Sequence, residues 1–107
     1  MRALIFLLAA TSVQAEFMDG NTLLADMNGS QMRQASSIGY VMGVADTLHS
    51  VSFCPPQQAT AGQVHDMVKQ YLVENPSQRH HTGDTIVKHV LSRTWPCRQT
   101  QQRGSGV

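Results

Sequence analysis

The chain has 107 residues, of which 41% are hydrophobic and 14% charged, and a formal net charge of +1. A chain this short supports one small domain. Its balanced charge, with no basic run, argues against a nucleic-acid partner and against attraction to an anionic membrane.

The N-terminus has three parts. Met1-Arg2 is a short basic start, Ala3 to Ala10 is an unbroken apolar run, and Val13 and Ala15 hold the positions that a signal peptidase reads. This layout predicts a secretory signal peptide over residues 1–15, cleaved after Ala15. A buried N-terminal helix is the alternative. The run is far shorter than the roughly 20 residues that cross a bilayer, and no lipobox cysteine follows it. Cleavage would remove Arg2, one of eight Lys/Arg, and leave seven against seven Asp/Glu. The mature domain is then 16–97, with 98–107 (RQTQQRGSGV) as a flexible tail that has no apolar period.

No stretch alternates with period two. Leu23, Leu24 and Met27 have helical spacing and Asn28-Gly29 follows them, so Asn21 to Met27 is predicted as a first helix with Asn21 as its cap. A second helix is predicted from about Gln31 to Ser50. Ala35, Ile38, Met42, Ala45 and Leu48 form its stripe, widened by Val41 and Val44. Gly39 and Gly43 lie one turn apart on it. Each costs the helix roughly 1 kcal/mol against Ala, so close approach of another helix is the expected reason for them. Charged and polar neighbours (Arg33, Asp46, His49) exclude a membrane dimerisation motif.

Phe53-Cys54-Pro55-Pro56 stops the second helix. Thr60-Ala61-Gly62-Gln63 fits a capping box, and Val64, Met67, Val68, Tyr71 and Leu72 make one face of a third helix that Asn75-Pro76 ends. A fourth helix starts between Ser77 and Thr82, presents Ile86, Val87, Val90, Leu91 and Trp95, and closes at Pro96-Cys97. The fold class is therefore all-α, a small bundle of about four helices. The two cysteines, Cys54 and Cys97, pair most simply with each other in an oxidising compartment; two free buried thiols are the alternative. The bond would staple the ends of the second and fourth helices.

Chemistry is sparsely supported. Five histidines suggest a test for zinc, which needs three or four converging ligands. No His-x-x-x-His or Glu-x-x-His pair exists, so no metal or other cofactor is expected. Cys54 lacks the surroundings of a reactive thiolate, there is no Gly-x-Ser-x-Gly elbow, and no paired carboxylates stand out, so an enzyme is not expected. Asp46, near the unfavourable C-terminal end of its helix, is expected to be exposed, paired with a base such as Arg93, or hydrogen-bonded to a neighbouring segment, with a structural use favoured. The six methionines fit core filling better than a pliable binding surface.

Several elements, taken together, resemble one family. They are Phe17-x-x-Gly20-Asn21-x-Leu23-Leu24, then Gly39-Tyr40-Val41-x-Gly43-Val44-x-Asp46, Phe53-Cys54-x-Pro56, Tyr71-Leu72 with Asn75-Pro76, and Trp95-Pro96-Cys97. Their order and spacing over residues 17–97 resemble the Rap/Tai family of type VI secretion immunity proteins. The resemblance implies a small helical protein of the Gram-negative periplasm that has no catalysis of its own. It implies a protein that binds and blocks a secreted toxic effector, typically a peptidoglycan amidase, and it implies a homodimer. Family members commonly carry a second cysteine pair; here those positions hold Met27 and Ser36 or Ser37. The polar segment Glu74 to Asp84, with Glu74, Ser77, Gln78, Arg79, His80 and His81, is the expected partner contact, ahead of the loop Ser50 to Thr60. A small periplasmic stress or chaperone-like protein is the alternative function.

Overall fold

The computed structural model describes residues 17–98. The predicted signal peptide and all of the predicted tail except Arg98 lie outside the described residues. Four helices follow in order: α1 (Gly20–Met27), α2 (Gln31–Leu48), α3 (Ala61–Glu74) and α4 (Gly83–Thr94), with a short 3-10 turn at Pro76–Gln78. Among the described residues there is no strand, only isolated bridges at Asp19–Thr82 and His49–Phe53. The protein is an all-α bundle, as the sequence predicts. No described helix is long and apolar enough to cross a membrane.

The helices begin where side chains satisfy their free amides. Asp19, not Asn21, caps α1: its Oδ1 accepts from the Thr22 amide at 2.8 Å. Asn21 already lies inside the helix, and its amide donates to the Arg79 carbonyl at 3.0 Å. Ser30 caps α2 by accepting from the Arg33 amide. Thr60 caps α3 by accepting from the Gln63 amide at 3.1 Å. No side-chain hydrogen bond caps α4. Instead the Gly83 amide donates to the Met18 carbonyl at 2.7 Å, while Asp84 in the first turn and Arg93 in the last suit the helix dipole. Helix α2 ends at Leu48, two residues before the predicted Ser50.

Helix α2 packs against each of the other three helices. Its buried line is Ser37, Val41 and Ala45. The predicted stripe is thus rotated: Met42, Val44 and Leu48 are partly buried against the core, but Ala35 and Ile38 are exposed. Facing α2 are Leu23 and Met27 of α1, Val64, Val68 and Leu72 of α3, and Ile86, Val87 and Leu91 of α4, all buried, with Phe53 from the connecting loop. Their burial removes apolar surface from water, the main favourable term for so small a core.

Close approach is real, but it does not occur at the expected glycines. A Cβ on Gly39 or on Gly43 would meet nothing within 4 Å, and both residues are exposed. The tight positions are Gly20 and Gly83. A Cβ on Gly20 would lie 2.6 Å from Ile86 Cδ1 and 2.8 Å from the Arg79 carbonyl oxygen. One on Gly83 would lie 2.7 Å from the Tyr40 hydroxyl. The bundle therefore needs missing side chains where α1 and α4 begin, rather than along α2.

The Cys54–Cys97 disulfide is present and joins the loop after α2 to the chain just past α4. Beside it the Cys54 amide donates to the Trp95 carbonyl at 2.8 Å. Trp95 is the half-buried residue that ends α4, and Pro96 follows it on the surface.

Candidate functional site

Three places gather polar or reactive side chains. The first is Ser37, His65 and Asp66. Ser37 Oγ lies 3.1 Å from His65 Nε2, and His65 Nδ1 lies 3.6 Å from Asp66 Oδ1. The residue types are those of a nucleophile, a base and an acid. The environment is wrong for that use. Ser37 is 0% exposed, so no substrate carbonyl can reach it. Its hydroxyl donates to the Gln34 carbonyl at 2.6 Å. That single proton being committed, Oγ accepts from Nε2–H of His65, and Nδ1 is the bare nitrogen when the ring is neutral. The cluster is a satisfied polar pair inside the bundle, joining α2 to α3. It also separates the two serines of the sequence: Ser37 faces the core with Met27, whereas Ser36 is exposed.

The second place is the segment from Glu74 to Asp84. It does not protrude as a flexible loop. The Gly20 amide donates to the His81 carbonyl and the Asn21 amide to the Arg79 carbonyl, each at 3.0 Å, so the segment is stitched to the start of α1. The Arg79 side chain turns inward: Nε donates to the Leu72 carbonyl at 2.6 Å and a terminal nitrogen to the Val73 carbonyl at 3.2 Å. It closes the C-terminal end of α3, where a cation is favoured. Glu74, Ser77, His80 and His81 are exposed and Gln78 is half-buried. The rings of His80 and His81 lie against each other, tilted by 37°, with centroids 4.1 Å apart. His80 Nδ1 is 3.0 Å from the Ser77 carbonyl, and His81 Nε2 is 3.1 Å from Gln78 Oε1. Among the described residues no group of three or more His, Cys, Asp or Glu converges as metal ligands.

The third place is the end of α2 and the loop after it. A groove of about 430 Å³ is lined by Met42, Asp46, His49, Phe53, Pro55, Pro56 and Val64, among others. Ser50, with φ 65°, is the one non-glycine residue with positive φ among those described. Its amide donates to the Phe53 carbonyl at 2.8 Å and its hydroxyl lies 2.9 Å from His49 Nδ1. This tight turn leaves Val51 exposed at its tip. The structural role expected of Asp46 is not observed. Asp46 is exposed, and the ion pairs among the described residues are Arg33–Asp26 and His65–Asp66, so it is not paired with Arg93 or with another described residue. Sequence spacing missed the groove because it forms between the end of one helix and the start of the next.

Residues 19–97 match the sequence profile of the Rap1a immunity proteins. The chain belongs to the Rap1a immunity protein family. The Rap1a match spans all four helices and both cysteines. It agrees with the resemblance carried by the Gly-Asn, Gly-Tyr-x-x-Gly-x-x-Asp, Phe-Cys-x-Pro and Pro-Cys elements. No curated protein sequence matches the chain. Within this Rap1a fold the motif residues divide by task. Gly20 and Tyr40 serve close packing, Cys54 and Cys97 form the staple, and Asp46 and Pro56 line the groove.

Proposed function

We propose that the chain is a periplasmic immunity protein that binds and blocks a toxic effector delivered by type VI secretion, an amidase of peptidoglycan, and that it has no catalysis of its own. The match to the Rap1a immunity proteins over residues 19–97 carries this reading. An apolar leader ending in Val13-x-Ala15 supports export, and a disulfide suits an oxidising compartment. The non-enzymatic role is supported by Ser37, whose hydroxyl is buried and already bonded. Homodimer formation is part of the proposal. The exposed apolar residues Met32 and Ile38 on the outer side of α2 favour it, since such groups gain by leaving water.

The test is enzymatic. Purified chain is mixed with peptidoglycan amidases of the secreted effector class, and hydrolysis of cell-wall fragments is followed. Loss of hydrolysis near one-to-one stoichiometry is expected for the cognate amidase. Unchanged rates with every amidase tried would remove the amidase assignment. Fractionation and light scattering check the location and the dimer.

A further inference from the structure

Asp46 is placed at a cost. It lies in the last turn of α2, where the unsatisfied carbonyls of the helix end make a negative charge unfavourable. Among the described residues no ion pair offsets that cost, and the carboxylate is exposed. It lines the groove of about 430 Å³, a volume near the lower end of the range of about 300–1,000 Å³ in which proteins hold small ligands. Asp46 is the one carboxylate in that lining, and no Lys or Arg lines it. The other walls are mostly apolar, with Met42, Phe53, Pro55, Pro56 and Val64.

The rim is also pinned. Two successive prolines restrict the loop, and the disulfide and the Cys54 amide bond to the Trp95 carbonyl hold its start. Ser50 keeps its left-handed backbone through the Phe53 carbonyl. Non-glycine residues in that conformation persist where the surrounding structure enforces them. A groove fixed in this way loses little freedom on binding.

We infer that this groove receives a short segment of the partner protein in which an apolar side chain neighbours an arginine or lysine. The apolar group lies among Phe53, Pro55 and Val64, and the cation meets the Asp46 carboxylate. The choice of occupant rests on charge complementarity, a lone carboxylate beside mostly apolar walls, with His49 as its one basic neighbour in the lining and no ion-pair partner among the described residues. The inference rests on the reading that the chain works by binding a secreted protein.

Two measurements test it. In the first, isotope-labelled chain is titrated with N-acetyl-phenylalanyl-arginine amide and, separately, with the phenylalanyl-glutamate amide. The arginine peptide should shift the backbone amides of Asp46, His49, Phe53 and Ala61, and the glutamate peptide should not. Asp46→Asn should weaken the binding by about tenfold or more, the scale of one charge-assisted contact, and Asp46→Lys should reverse the preference. Both variants should melt no lower than the parent, since Asp46 has no ion-pair partner among the described residues to lose. Equal response to the two peptides, or no response in the millimolar range, overturns the inference. So do the same amide shifts on simple dilution, which would assign the groove to a second copy, or on removal of residues 99–107, which would assign it to the chain's own tail.

In the second, Asp46→Asn is compared with the parent against an amidase that the parent blocks. A loss of about tenfold in inhibition is expected, and full inhibition by the variant overturns the inference. If the parent blocks no amidase, the amidase assignment falls while the peptide titration still decides the groove.

Discussion

Tyr40 on α2 lies against Gly83 at the start of α4, so closely that a Cβ on Gly83 would come within 2.7 Å of the tyrosine hydroxyl. The contact ties the Gly-Tyr element to the one described α-helix whose start has no side-chain cap. It also fixes a contrast between glycines. Gly83→Ala must displace a ring and should destabilise by about 1–3 kcal/mol, the usual range for overpacking. Gly20→Ala should do likewise, because the Arg79 backbone is in its way. Gly39→Ala and Gly43→Ala meet open space and should each stabilise by about 0.5–1 kcal/mol through helix propensity. Urea unfolding of the four variants checks this; destabilisation by Gly43→Ala would contradict the outward placement of that face.

Burial and the Asp84 charge raise the pKa of the same Tyr40 above its ordinary value of 10.0. The folded state therefore holds this proton more tightly than the unfolded state does. The stability linked to it is fully present below pH 10 and is lost as pH rises through the folded value. The parent should lose melting temperature in that alkaline range, and Tyr40→Phe should lose less. Equal alkaline slopes for the two proteins would count against the packing of the phenol.

The disulfide spans 43 residues of sequence. In the chain-entropy view a loop of that length is worth about 4 kcal/mol, a large share of what a small domain has. Reduction, or Cys97→Ala, should lower the melting temperature steeply, and any amidase inhibition should survive at temperatures where the fold does. A melting temperature unmoved by reduction would show that the helices hold without the staple.

Helix number and stops were legible because they depend on local chemistry. Thr60 caps α3 where its sequence places it, and the Pro55-Pro56 and Asn75-Pro76 pairs punctuate the chain. The cysteine pairing was legible because only two cysteines exist. The rotation of α2 was not. A buried line that begins with Ser37 reads as polar surface, and what satisfies that serine is His65, 28 residues away. The groove was hidden for the same reason, since Asp46 and Val64 meet only in three dimensions. The role of Arg79 at the end of α3 was hidden because its carbonyl partners are backbone atoms, which no side-chain pattern displays.

Asp19 makes acid stability a test of the α1 cap. Hydrogen bonds from Thr22, the backbone amide first and the side chain second, hold its carboxyl below the ordinary 3.8. The unfolded state thus binds this proton more readily, and stability rises with pH across the window below 3.8. The contribution is present above that window and is lost as pH falls through the folded value. Asp19→Ala should cost about 1 kcal/mol at neutral pH. Asp19→Asn, still a good cap, should keep most of that and lose the acid dependence. Urea midpoints at neutral pH and in the acid window separate the two.

Ser37 and His65 provide the last test, because their geometry permits a catalytic reading that their burial denies. Ser37→Ala removes the acceptor for His65 Nε2–H and the bond to the Gln34 carbonyl. Each satisfied bond is worth about 1 kcal/mol, and a buried donor left unpaired costs about 1–3 kcal/mol. The variant should therefore lose stability, and a double-mutant cycle with His65→Phe should show that the two losses are not additive. Binding of the partner should be unchanged below the melting temperature, since neither bond reaches the surface groove. If Ser37→Ala instead abolished a hydrolytic activity while leaving the melting temperature intact, the pair would be catalytic and the non-enzymatic assignment would fail.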